Sequence, residues 1–246
     1  MQIIPAFVTQ NKCYQAGAPL TPRGIMLHSV GTPQPSARAL VRYMDQYQPG
    51  GQSVCVHAVA QADGTVYQLL PWEMRGWHCG GSANSTHIGV EMTEPSAGMT
   101  RSEAAEQIAG TYRTVVELFA ELCKQYELDP AQDGVIIGHA EGHRRGVASN
   151  HADPELLWRT YDMGYTMDGF RRDVAEAMKN GAREEALDMP RYDSVAEMPQ
   201  WARAGVQRLI DRGVLSGVGN GKLDLSLDMI RTMIVCQRMV DEQKET

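Results

Sequence analysis

The stretch "IIGHAEGHRRGVASNHADPE", residues 136 to 155, holds three of the chain's seven histidines together with two glutamates and an aspartate. Imidazoles and carboxylates at that density can move protons or hold a divalent metal. His139 closes the apolar run "GVIIGH", and a second histidine, His28, stands near the end of another such run, "GIMLHSV". Both are therefore expected at the tips of buried strands, where side chains emerge at one rim of an α/β sheet. Asp153 lies in the loop before "PELLW". Two imidazoles and one carboxylate leave a fourth position for water, the arrangement of a catalytic rather than a structural zinc. No local motif such as H-E-x-x-H fixes the pair, so the trio depends on the elements that carry it.

Those elements read as an alternation of strands and helices. "GIMLHSV" (24–30) is predicted as a strand, followed by a helix with Ala37, Leu40, Val41 and Met44 at helical spacing. "SVCVHAVA" (53–60) and residues 65–70 flank Asp63-Gly64, a strong turn signal, and are predicted to form a hairpin. "HIGVEMT" (87–93) is the next strand. "TRSE" at 100–103 has capping-box form and opens a long helix striped by Ile108, Tyr112, Val115, Phe119 and Leu122, which runs on towards Asp129-Pro130. "GVIIGH" (134–139) is the last strand. A closing helix marked by Met167, Phe170, Val174 and Met178 is expected to end at Asn180-Gly181. The fold class is thus α/β, a mixed central β-sheet flanked by helices, with a small C-terminal helical domain. Residues 1–180 make the main domain, 181–191 a charged, proline-punctuated linker, and 192–246 a small unit. Its two helical patterns are Trp201, Val206, Leu209 and Ile210, then Ile230, Met233, Ile234 and Val240.

Composition narrows the function classes. A chain of 246 residues with 43% hydrophobic content can bury a proper core. Its net charge of -7 argues against a nucleic-acid binder, which needs a basic face. Five scattered cysteines without a C-x-x-C pair indicate reduced, mostly buried thiols, not a disulfide framework or a thiolate zinc knuckle. The start "MQIIPAFVTQNKCYQ" lacks signal-peptide form, and no run approaches the length of a membrane span. Synthesis in the cytoplasm without membrane insertion is expected, with release required for any work outside.

"MLHSVG", "SVCVHAVAQADGTVYQLLPWEMRGWHCGG", "HIGVEMTE" and "GHAEGHRRGVASNHADPELLW", in this order, resemble the zinc-dependent N-acetylmuramoyl-L-alanine amidases of type 2. That family includes phage lysins and is related to peptidoglycan recognition proteins. The resemblance implies His28 and His139 as zinc ligands, Asp153 before Pro154 as the third, and Glu91 in "IGVE" as the catalytic acidic residue. Where the family commonly carries a lysine, two residues before the third ligand, this chain has His151. His151 is then either a protonated donor to the developing oxyanion or itself the ligand, with Asp153 orienting it. Asp153 is favoured because the proline after it keeps the family spacing. His143 belongs to solvent or substrate contact, His57 reads as a hydrogen-bonded wall residue, and the resemblance sets the His78 loop beside the cleft.

The implied reaction is hydrolysis of the amide joining the lactyl group of N-acetylmuramic acid to L-alanine in peptidoglycan, by a zinc endolysin. A non-catalytic peptidoglycan-binding protein and a bacterial wall-remodelling amidase are the alternatives. "YDSVAEMPQWARAGVQRLIDRGVLSGVGNGKLDLSLDMIRTMIVCQRMV" is similar to a single S-layer homology module, which implies attachment to a cell-wall polymer. Its alternative is a helical hairpin that forms a homodimer or covers the catalytic domain.

Overall fold

The computed structural model describes residues 1–46, 54–188 and 191–242. The chain divides into two compact units, Met1–Asn180 and Gly181–Thr246.

In the first unit the strands are β1 (Gln2–Pro5), β2 (Gly24–Ser29), β3 (Ala58–Ala60), β4 (Thr65–Gln68), β5 (His87–Met92) and β6 (Ile136–Gly138). They form one sheet in the order β1-β4-β3-β5-β2-β6. Only β3 and β4 run antiparallel, as the predicted hairpin; the other neighbours are parallel. Its turn closes on Asp63, whose carboxylate accepts from the Thr65 N–H at 3.0 Å, with Gly64 at φ 85°. Of the expected 53–60 strand, Ser53 lies outside the described residues, Cys55 makes an isolated bridge to Trp77, and regular pairing begins at Ala58. The alternative pairing of Cys55 with the 71–80 loop takes that stretch out of the sheet.

The helices are α1 (Lys12–Ala16), α2 (Ala37–Met44), α3 (Arg101–Gln125), α4 (His139–Arg144), α5 (Glu155–Thr160) and α6 (Met167–Asp188). Helix α3 starts at the expected capping box, in which Thr100 and Glu103 exchange hydrogen bonds, and it buries the whole Ile108–Leu122 stripe. Period two along the strands sorts the two faces of the sheet. Ile25, Leu27, Ile88, Val90, Ala58 and Ala60 join α3 and Phe170 of α6 in one core. The alternate residues Met26, His28, His57, Gly89 and Glu91 face the other way, towards the side where Val59 packs with Leu40 and Met44 of α2.

Two local expectations differ. Helix α6 does not stop at Asn180-Gly181 but runs to Asp188. The following "AREEAL" are strong helix formers, and together they outweigh the roughly 1 kcal/mol that one glycine costs. Strand β1 was not expected at all: four residues ending in Pro5 show no period, and they pair only because β4 offers a parallel edge.

The second unit contains β7 (Arg191–Tyr192), β8 (Leu225–Ser226), α7 (Gln200–Asp211) and α8 (Leu227–Glu242), with β7 and β8 paired antiparallel. Met198, Ala202, Val206, Leu225, Ile230 and Ile234 make its core. Trp201, expected on the buried stripe, is instead 52% exposed, because Ala202, Val206 and Leu209 define the inner face. Val240 lies in a stretch whose side chains are not described.

Candidate active site

The site is built at the carboxyl ends of three parallel neighbours, β5, β2 and β6. Register sets Glu91 opposite His28, and Leu27 opposite Gly138, so that Glu91, His28 and His139 follow one another across the sheet. His139 is the first residue of α4. Gly138 before it is required for packing, since a Cβ there would lie 2.9 Å from the Pro154 ring. That close approach brings Asp153 to the strand ends. Glu141 ties α4 back by accepting from the Gly138 N–H at 3.2 Å. Arg171 of α6 then donates to both Glu141 oxygens, at 2.9 and 3.1 Å, and to the Ile136 carbonyl at 2.8 Å. No sequence signal marked Arg171 or Glu141 as a clamp, because the pair is joined only in three dimensions.

His28, His139 and Asp153 bring one potential ligand atom each to within 4.8 Å of one another. His28 Nδ1 is 3.0 Å from His139 Nδ1 and 3.3 Å from Asp153 Oδ2, and His139 Nδ1 is 3.5 Å from Asp153 Oδ1. Both imidazoles are buried, at 2% and 4% exposure. On the far side of His139, Nε2 lies 3.2 Å from Ser149 Oγ, whose hydrogen is directed to the Cys79 carbonyl at 3.0 Å. The hydroxyl must then accept, His139 must donate from Nε2, and its Nδ1 keeps a bare lone pair. Burial, then the charge of His28, lower the His139 pKa to about 4, which holds the ring neutral. A lone pair, a carboxylate and a second imidazole nitrogen at these distances fit a shared divalent cation.

Glu91 is half-buried beside this group. Loss of water around its carboxyl raises its pKa to about 7, against the opposing charge of His28. With His28, His139, His151 and Asp153 it lines a cleft of about 230 Å³, bounded on the other side by Tyr43, Met44 and Val56. A wider cleft of about 620 Å³ adjoins it, lined by Lys12, Trp77, His78 and Asn84. His151 is outside the metal-type group. It is exposed, stacks on His139 with ring centroids 4.5 Å apart, and has Nδ1 4.0 Å from Asp153 Oδ1.

The remaining histidines separate by partner. His57 is fully buried, accepting at Nδ1 from the Gly89 N–H (2.9 Å) and donating from Nε2 to the Met74 carbonyl (2.7 Å), which makes it a wall residue. His87 bridges Thr86 Oγ1 and the Gly134 carbonyl. His143 is exposed, 3.4 Å from the Ala148 carbonyl. His78 reaches His28. Cys13, Cys55, Cys79 and Cys123 are buried free thiols, and Cys236 is an exposed one. Among the described residues no helix is long and apolar enough to cross a membrane.

A model of the N-acetylmuramoyl-L-alanine amidase family matches residues 18–156, more than half of the chain. Among solved structures the chain resembles the hydrolase AmiA of Staphylococcus aureus, crystallised with its ligand. Identity is 20% over 75% of this chain and 86% of that one, with a TM-score of 0.60. It also resembles the catalytic domain of XlyA, at 22% identity over 71% of this chain and 99% of that one, TM-score 0.52. A mutant endolysin from Bacillus subtilis aligns at 21% identity over 71% and 99%, TM-score 0.50. At these identities the likeness establishes the fold. No curated protein matches the chain at a comparable level of significance.

Proposed function

The chain belongs to the N-acetylmuramoyl-L-alanine amidase family, and from that premise we propose that it is a zinc-dependent peptidoglycan amidase of the endolysin type. It cuts the amide between the lactyl group of N-acetylmuramic acid and the L-alanine of the stem peptide, and so lyses bacterial walls after release from the cytoplasm. The observation that carries this reading is the convergence of His28, His139 and Asp153 on one point, with Glu91 in register beside His28.

His28, His139 and Asp153 would hold the zinc. When bound, it supplies Lewis-acid polarisation of the scissile carbonyl and of the attacking water. Glu91 takes a proton from that water as its oxygen adds to the carbonyl carbon. The same carboxyl returns the proton to the amide nitrogen as the C–N bond breaks, leaving a lactyl carboxylate on the glycan and a free amine on the peptide. A raised proton affinity suits Glu91 to both steps near neutrality. His151, exposed at the rim and charged when protonated, donates to the oxyanion that forms on the carbonyl oxygen. The second unit, through its similarity to an S-layer homology module, attaches the enzyme to a cell-wall polymer.

Zinc analysis combined with mass spectrometry of digested purified walls tests the whole reading. One zinc per chain, lactyl-terminated glycans and peptides beginning with L-alanine are expected. Intact stem peptides still joined to glycan after prolonged digestion would refute the reaction and favour a binding protein.

A further inference from the structure

His78 sits between a backbone carbonyl and a proposed metal ligand, and the chemistry of each contact determines where the protons lie. Its Nε2 is 3.1 Å from the His87 carbonyl, which can only accept, so Nε2 carries the hydrogen. Its Nδ1 is 2.9 Å from His28 Nε2. With the ring hydrogen on Nε2, Nδ1 is the nitrogen left to accept, and His28 donates to it from Nε2. With its Nε2 hydrogen given to His78, His28 presents Nδ1 to His139 Nδ1 at 3.0 Å and Asp153 Oδ2 at 3.3 Å. The backbone of β5 thereby selects the His28 tautomer through one intervening imidazole.

The ring is held in this place by two glycines. A Cβ at Gly89 would lie 2.4 Å from His78 Cγ, and one at Gly76 would lie 3.0 Å from Cδ2. The His78 backbone is held as well, its N–H donating to Asn84 Oδ1 at 2.9 Å.

We propose that His78 is a positioning residue for metal binding, one that fixes the tautomer and orientation of His28 and raises the basicity of its Nδ1. This rests on His28 being a zinc ligand. A histidine ligand needs an acceptor on its other nitrogen, and removing such a partner commonly weakens metal affinity by about 10- to 100-fold. His78 fills that place with an imidazole, as Ser149 does with a hydroxyl for His139.

The test measures zinc affinity by chelator competition, and thermal unfolding of the metal-free protein, for the full chain and two variants. His78→Phe keeps the ring volume and removes the acceptor; His78→Asn puts an amide oxygen near the lost Nδ1. About 10- to 100-fold weaker zinc binding in His78→Phe, most of it recovered in His78→Asn, with metal-free stability changing independently, is the expected result. Wild-type affinity in His78→Phe overturns the proposal while leaving the ligand assignment standing. Failure of the wild-type chain to bind zinc overturns that assignment, and this proposal with it. Should His78→Phe not fold, nitrogen-15 shifts of the zinc-loaded wild type decide: a proton on His78 Nε2 and on His28 Nε2 supports the relay, and a proton on His78 Nδ1 refutes it.

Discussion

At the scale of single residues, the proposed mechanism separates groups that hold from groups that react. His28→Ala or His139→Ala is expected to lose zinc and activity together, because a three-ligand site cannot spare a ligand. Asp153→Ala should also shed metal, whereas His151→Ala should keep it and lower kcat, since His151 is stacked on His139 but stands outside the converging group. His151→Lys should then restore part of the rate and move the alkaline limb of the pH profile upward, because lysine keeps its proton to higher pH. Loss of zinc by His151→Ala with retention by Asp153→Ala would reverse the assignment. Glu91→Ala should keep zinc and lose activity by about 100-fold or more, and near-normal turnover would remove it from the mechanism. His57 allows a stability prediction. Its burial lowers the folded pKa to about 4, from 6.5 when unfolded, and a second proton would face the Gly89 N–H that Nδ1 now accepts. Protonation therefore favours the unfolded chain. The stabilisation is complete above about pH 6.5 and is lost as pH falls towards 4, by at most about 3 kcal/mol. Chemical denaturation at pH 7 and pH 4 should show this loss in wild type and a smaller one in His57→Gln; equal losses would refute it.

At the scale of elements, three parallel strand ends carry the candidate site and one helix braces them. Register between β2 and β5 puts Glu91 beside His28, and alternation keeps both on the face opposite α3. The start of α4 is held by Arg171 of α6 through Glu141 and the Ile136 carbonyl. Arg171→Met would leave a half-buried carboxylate without its cation and a buried carbonyl without its donor, a cost of about 2 kcal/mol. Urea unfolding should show that destabilisation, and the double variant with Glu141→Gln should lose less than the sum of the two single changes. Additivity would mean that the two side chains do not act together.

At the scale of the whole molecule, the chain joins a large α/β unit to a small one with its own apolar core. If the small unit anchors the enzyme to a wall polymer, a chain ending at Asn180 should keep zinc and hydrolyse soluble muropeptides at the full-length rate while sedimenting less with purified walls. Equal sedimentation would assign wall binding to the first unit alone. Much of this was legible in the residues. The apolar runs around His28, Glu91 and His139 marked strands, the Thr100–Glu103 box marked the start of α3, and Asp63-Gly64 marked the hairpin, because each is a local pattern of period, cap or turn. Strand β1, the exposure of Trp201 on α7 and the continuation of α6 to Asp188 were not, since they depend on a neighbouring edge, a packing partner and a sum of small propensities. The site divides in the same way. Residue types and strand-end positions marked His28, His139 and Asp153 as candidates. Only the folded chain brings together Nδ1 atoms 111 residues apart, with Asp153 beside them. Only it interposes His78 between a β5 carbonyl and His28. Local sequence determines which atoms can donate or accept, whereas their convergence is set by sheet order and loop closure across more than 100 residues, which no local period encodes.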